Sequence, residues 1–184
     1  AQGDAQMKAG WTTVALGDVA VVERRGVNPT SLDDDTIYLG LEHIEAGGRI
    51  IGCSTVGESA VASTKFQFGP QHVLFGKLRP YLAKIAAPDF AGVCSTDILP
   101  VRPTSSVDRS YLTHFLRQPA IVDLAATRST GANLPRLSPA GLGRFEMPLP
   151  RSRSSAASPP SSTALTRFAR IASDRWFCSG LSPR

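Results

Sequence analysis

Between residues 11 and 103 the apolar positions come in short runs broken by glycine, proline and small polar residues, and helical spacing begins only after residue 106. Residues 11 to 25 alternate loosely and predict a short strand or a turn leading into a helix around Leu16-Gly17-Asp18-Val19. Thr36 to Leu41 (Thr-Ile-Tyr-Leu-Gly-Leu) is rich in β-branched and aromatic residues and predicts a strand. Gly47-Gly48 predicts a turn, with a strand over Arg49-Ile50-Ile51 behind it. Phe66-Gln67-Phe68 alternates before Gly69-Pro70 breaks it. Val73 to Phe75 and Lys77 to Ala83 predict two strand segments joined at Gly76, and Gly92 to Val101 a further pair of extended segments.

The period then lengthens. Tyr111, Leu112, Phe115 and Leu116 recur at helical spacing behind Ser106, Pro119 interrupts, and Ala120 to Thr127 predicts a second short helix. Ser129 to Asn133 is a polar loop. Ser138-Pro139 is a cap followed by proline at the first helical position, so a third short helix is expected there, and then a last strand over Phe145 to Pro148. Strands dominate, helices cluster late, and no strand–helix–strand repeat is visible. The class this implies is α+β: a strand-rich domain over residues 11 to 150 with a few short helices.

After Pro150 the pattern stops. Residues 151 to 184 hold nine serines, six arginines and three prolines but no lysine. Such a segment reads as an irregular, disordered tail. A frameshift is the other explanation. Back-translated with GC-rich codons and read in another frame, residues 151 to 170 can give LAEQRRIAAILDRADALRA, whose apolar residues recur three and four apart as in an amphipathic helix.

The chain of 184 residues is 42% hydrophobic, enough for a real core, and its three cysteines lack metal-ligand spacing. Reduced, buried thiols are expected. No apolar run approaches the roughly eighteen residues of a membrane span, and no basic-then-apolar leader opens the chain. A cytoplasmic location is expected, with no membrane partner. The net charge of +5 suggests nucleic acid until it is located: the six arginines and single acid of residues 151 to 184 carry all of it, and residues 1 to 150 are neutral. DNA binding must therefore rest on local clusters.

Two clusters qualify. Phe75-Gly76-Lys77-Leu78-Arg79-Pro80-Tyr81-Leu82 places two cations and an aromatic beside a glycine and a proline, with Lys84 just beyond. On one strand, Lys77, Arg79 and Tyr81 share a face. Arginine reads guanine or clamps phosphate, and Tyr81 suits sugar or phosphate. The other cluster is Arg128 to Arg136, where Ser129, Thr130 and Asn133 are short hydrogen-bonding side chains, Gly131 permits close backbone approach, and Arg128 and Arg136 flank them. The competing explanation is scaffold: a core Tyr81, solvated cations, and a polar turn leading into the Ser138 cap. Base-reading residues would then lie in less distinctive loops such as 54 to 64.

Catalytic signals are weak. His43, His72 and His114 are scattered, Glu42-His43 lacks the second histidine of a zinc-protease helix, and no phosphate-binding loop or dinucleotide fingerprint occurs. Ser129 has no evident base, and Asp33-Asp34-Asp35 reads as a solvated turn.

Leu16 to Val19, Tyr38 to Ile44, Phe75 to Leu82, Gly92 to Leu99 and Ser129 to Leu137 together, in this order, resemble one target recognition domain of the specificity subunit of type I restriction-modification systems. The resemblance covers about residues 11 to 150. It implies sequence-specific binding of double-stranded DNA, each domain reading one half of a bipartite site and directing a partner methyltransferase and endonuclease. A full subunit of this family carries two such domains, so a second specificity half is an implied partner beside the modification subunit. The resemblance implies no catalysis and no cofactor in this chain, with S-adenosylmethionine, ATP and Mg on partner subunits. It also places a helix beginning with a PLxEQ-like phrase after the domain. This chain departs there, where Leu149-Pro150 runs into Arg151-Ser152-Arg153. A truncated fragment that folds without recruiting a methyltransferase is the alternative.

Overall fold

The computed structural model describes residues 11–59 and 63–150. The expected irregular or frameshifted tail, 151–184, lies outside the described residues. The order of elements is β1 (Trp11–Ala15), α1 (Leu16–Val19), β2 (Ala20–Val22), β3 (Gly26–Val27), β4 (Ile37–Leu39), β5 (Ser54–Thr55), β6 (Lys65–Phe68), β7 (Val73–Gly76), β8 (Ile85–Ala86), β9 (Gly92–Cys94), β10 (Ile98–Pro103), α2 (Arg109–Leu116), α3 (Pro119–Thr127), α4 (Pro139–Gly143) and β11 (Glu146–Pro150).

Among the described residues the strands form three sheets. One is the antiparallel ribbon β1–β11, which sets Trp11 opposite Pro150. A second has the order β2–β10–β7–β8 and is antiparallel throughout. The third has the order β3–β6–β9–β4–β5, with β4 parallel to β9.

The central strands β7 and β10 are apolar on both faces because both faces are covered. Val73 and Phe75 of β7, with Leu99 and Val101 of β10, enter a core shared with Leu112, Phe115 and Leu116 of α2 and with Phe145 and Met147. The alternate residues Leu74 and Ile98 enter a second core with Leu39, Phe68 and Cys94 of the five-stranded sheet. Period-two alternation thus divides one strand pair between two cores. These buried residues are hydrophobic and fix the sheet's position between the helices and the five-stranded sheet.

Helix starts follow local chemistry. Asp108 caps α2 by accepting from Ser110 N at 2.7 Å and Tyr111 N at 3.3 Å. Ser138 Oγ accepts from Gly141 N at 2.9 Å with Pro139 at the first helical position, as expected from the sequence. Gly47 and Gly48 form the expected turn with φ of 89° and 90°, but the segment behind it makes an isolated Ile44–Ile50 bridge in place of a strand. Cys94 is a buried free thiol, and burial pushes its pKa up to about 12. Among the described residues no helix is long and apolar enough to cross a membrane.

Candidate nucleic-acid interface

The segment after β7 is not the strand its sequence suggests. Gly76 closes the β7–β8 hairpin at a point where a Cβ would lie 2.9 Å from Lys84 O and 3.1 Å from Leu41 Cδ2. The chain then leaves the sheet. Arg79 adopts a left-handed conformation (φ 49°, ψ 62°), Pro80–Leu82 form a 3-10 turn, and Ala83 is left-handed again (φ 49°, ψ 39°). Leu82 N donates to Arg79 O at 3.0 Å and Ala83 N to Pro80 O at 2.9 Å. Proline at the first turn position has no N–H to offer a ladder, so a turn wins over a strand here. Lys77, Arg79 and Tyr81 therefore do not share a strand face. Pro80 is buried under α3, while Arg79 is exposed and Tyr81 is 53% exposed.

The partner of this segment is the second cluster. Leu137 N donates to Lys77 O at 3.0 Å, Arg79 N donates to Pro135 O at 2.8 Å, and Leu78 bridges Arg136. Arg136 in turn bridges Thr130, with reciprocal N–H···O bonds of 2.9 and 3.1 Å, so 130–136 is a closed loop with Gly131 (φ 110°) near its tip. The structure thus joins Phe75–Leu82 and Arg128–Arg136, far apart in sequence, into one patch.

Asp97 lies within this patch, and sequence reasoning did not assign it to the site. Its Oδ1 accepts from Arg136 Nε at 3.0 Å and stands 3.9 Å from Lys77 Nζ. This pairing raises the Arg136 pKa above its ordinary value. The only local signal was the polar turn Ser95-Thr96-Asp97 ahead of the apolar run Ile98–Leu99.

The other candidates divide. The Arg128 guanidinium lies over the Phe145 ring at 5.5 Å, a cation–π contact that holds an exposed charge at the patch. Among the described residues no ion pair or hydrogen bond engages the Arg79 guanidinium. Thr130 and Asn133 are exposed on the loop, beside Leu134 at 45% exposure. Ser129 turns inward, its Oγ donating to Ala125 O at 2.7 Å and closing the end of α3. Lys84 is not brought to the patch as a free cation: its Nζ donates to Leu41 O at 2.7 Å and ties the hairpin to the 41–43 turn. In the 54–64 loop, Thr55 N and Glu58 N exchange hydrogen bonds with the Glu58 and Thr55 side chains, while residues 60–62 lie outside the described set.

A cleft of about 570 Å³ lies elsewhere, lined by Glu23, Arg25, Gln67, Gln71 and His72 among others. His72 is buried. Its Nδ1 accepts from Gly69 N at 2.9 Å, so in the neutral ring Nε2–H donates to Glu23 Oε2 at 3.0 Å. Glu23 also receives Arg102, and the bonds from His72 and then Arg102 hold its pKa below the ordinary value. Among the described residues no hydroxyl or thiol joins this pair as a hydrogen-bond partner, and the cluster ties the segments of Glu23, His72 and Arg102 together. Among the described residues no group of three or more His, Cys, Asp or Glu side chains is placed to hold a metal ion.

No protein-family model matches the chain. Over 141 residues it is 28% identical to the type I restriction enzyme EcoDI specificity subunit of Escherichia coli, covering 76% of this chain and 31% of that protein. Its fold is similar to the HsdS subunit from Thermoanaerobacter tengcongensis (TM-score 0.67, 24% identity, 80% of this chain and 40% of that one). It is equally similar to a chain from a study of complex assembly and conformational transition in the type I R-M system (TM-score 0.67, 22% identity, 79% and 39%). The S subunit from M. genitalium is a weaker match (TM-score 0.52, 11% identity, 83% and 37%). The chain spans less than half the length of each of these relatives. The resemblance to a type I specificity-subunit recognition domain, read from sequence phrases, thus holds in sequence and in fold.

Proposed function

We propose that residues 11–150 form a target recognition domain that binds double-stranded DNA sequence-specifically, as one half-site reader of a type I restriction-modification specificity subunit. The observation that carries this is the joining of the 77–81 and 128–136 segments into one cationic patch, with Arg79 and Arg128 free of acidic partners among the described residues. The body is neutral overall, so this local concentration is what gives phosphates a place to dock. Arg79 and Arg128 are the first contacts. Lys77, Arg136, Thr130 and Asn133 complete the surface, with Tyr81 projecting from the turn. Ser129 and Lys84 act on the scaffold through their carbonyl contacts.

In this function the chain is non-catalytic and cytoplasmic. Its partners are DNA, the modification subunit and a second specificity half, and S-adenosylmethionine, ATP and Mg are bound by partner subunits. The test is fluorescence anisotropy of a labelled duplex across a salt series. Affinity falls with salt, and Arg79→Ala weakens binding. Unchanged affinity for Arg79→Ala at physiological salt removes Arg79 from the surface.

A second reading, a fragment that folds but does not recruit a methyltransferase, is favoured by the change of composition after Pro150. Stable copurification with the modification subunit refutes it.

A further inference from the structure

Asp97 faces inward to the patch, not away from it. Its carboxylate accepts from Arg136 Nε at 3.0 Å and stands 3.9 Å from Lys77 Nζ, while its side chain is only 26% exposed. The main chain around it is held at both ends: Lys77 N donates to Asp97 O at 2.9 Å, and Asp97 N donates to Ser95 Oγ at 3.3 Å. A carboxylate fixed in a surface that meets phosphates is a repulsive element, and such elements discriminate between partners by opposing the wrong ones.

We infer that Asp97 is a positioning residue and internal counter-charge, which holds Lys77 and Arg136 against phosphate and so restrains sequence-independent binding to the DNA backbone. This rests on the DNA-binding proposal above. A phosphate approaching Lys77 or Arg136 must displace or share an anion already in place. One approaching Arg79 or Arg128 meets no such competitor among the described residues. Binding through Nε leaves the Arg136 terminal Nη groups unpaired by Asp97, so the guanidinium is oriented while its charge is compensated. Asp97 acts on the patch's electrostatics without itself touching DNA.

Each phosphate neutralised on a duplex adds about 0.9 to the slope of log affinity against log salt, and non-specific binding consists almost wholly of this term. With the carboxylate removed, one or both of Lys77 and Arg136 become available to phosphate. The slope then steepens by roughly 0.9 to 1.8, and a duplex of random sequence binds more tightly.

The experiment compares the full chain and Asp97→Asn on a fluorescein-labelled random-sequence duplex over a KCl series, alongside thermal melting of each protein. Asparagine keeps the side-chain shape and an acceptor for Arg136. The expected result is at least several-fold tighter binding at low salt, with a steeper slope. Should Asp97→Asn fold poorly, Arg136→Gln and Lys77→Gln carry the test. Each is expected to flatten the slope less than Arg79→Gln, because its charge was already compensated. Equal losses for Arg136→Gln and Arg79→Gln overturn the inference, as does folded Asp97→Asn that binds no tighter. Absence of binding by wild type and Asp97→Asn alike removes DNA binding itself, whereas wild-type binding without gain in Asp97→Asn removes this inference alone.

Discussion

Arg79 combines a strained backbone with an unpaired exposed cation, and two substitutions separate these properties. Its φ of 49° and ψ of 62° lie in the left-handed region, where a residue with a Cβ is disfavoured by roughly 1–2 kcal/mol and glycine is not. The conformation is held from both sides: Arg79 N donates to Pro135 O at 2.8 Å, and Arg79 O accepts from Leu82 N at 3.0 Å. Arg79→Ala removes the charge and keeps the strain. Arg79→Gly removes both, at a cost of about 0.4–1 kcal/mol in greater unfolded-chain entropy. Taken at the middle of each range, the difference leaves the glycine variant about 0.8 kcal/mol more stable than the alanine variant. In a domain of this size that is a Tm difference of about 1–4 °C, at roughly 2–4 °C per kcal/mol. Both variants lose the same cation, so both weaken DNA binding and flatten the salt slope by the same amount, about 0.9 if Arg79 meets one phosphate. The assays are thermal melting by circular dichroism and duplex anisotropy on the same preparations. A glycine variant melting at or below the alanine variant refutes the strain. DNA affinities that differ between the two refute the separation of strain from charge.

Gly48 offers a larger effect by steric means. It is buried with φ of 90°, and a Cβ there would lie 1.8 Å from Ile85 O and 2.7 Å from Arg117 Nη2. Gly48→Ala is therefore expected to destabilise by more than about 2 kcal/mol, by left-handed strain and by forcing the turn away from β8; urea denaturation measures it, and a neutral outcome contradicts the close approach. Glu23 gives a pH dependence. Its pKa is held below the ordinary 4.5 by hydrogen bonds from His72 and Arg102, so the folded state favours the carboxylate. Its contribution is present above the unfolded value and is lost as pH falls through the lower folded one. Acid titration of Tm is expected to fall less steeply for Glu23→Gln than for wild type below about pH 4.5, and parallel curves would exclude Glu23 from acid destabilisation.

The fold was legible where its causes are local. The apolar runs at Val73–Phe75 and Ile98–Val101 marked strands, and the cap at Ser138-Pro139 marked a helix start, because burial of a face and satisfaction of a few N–H groups are written into neighbouring residues. Lys77–Ala83 misled for an equally specific reason. Its alternation looks strand-like, but Pro80 favours a turn, and the left-handed Arg79 beside it is held by a bond to Pro135 O and by packing on α3 that no local pattern reports. The segment's two cations then acquire different electrostatic standing. Lys77 faces Asp97, whereas Arg79 is left open.

By itself, the sequence determined the strand-rich class, the two basic phrases and the family they resemble. Each depends on residue type and short-range spacing. Only the tertiary structure decided that the two phrases form one surface, that Asp97 stands between their cations, and that Lys84 and Ser129 serve carbonyls of the scaffold. Hydrophobic periodicity reports which face of an element is buried, and carries no information about which distant loop will lie beside it. That choice is made by the whole packing of the sheets. A side chain's charge has its effect only in the company the packing provides.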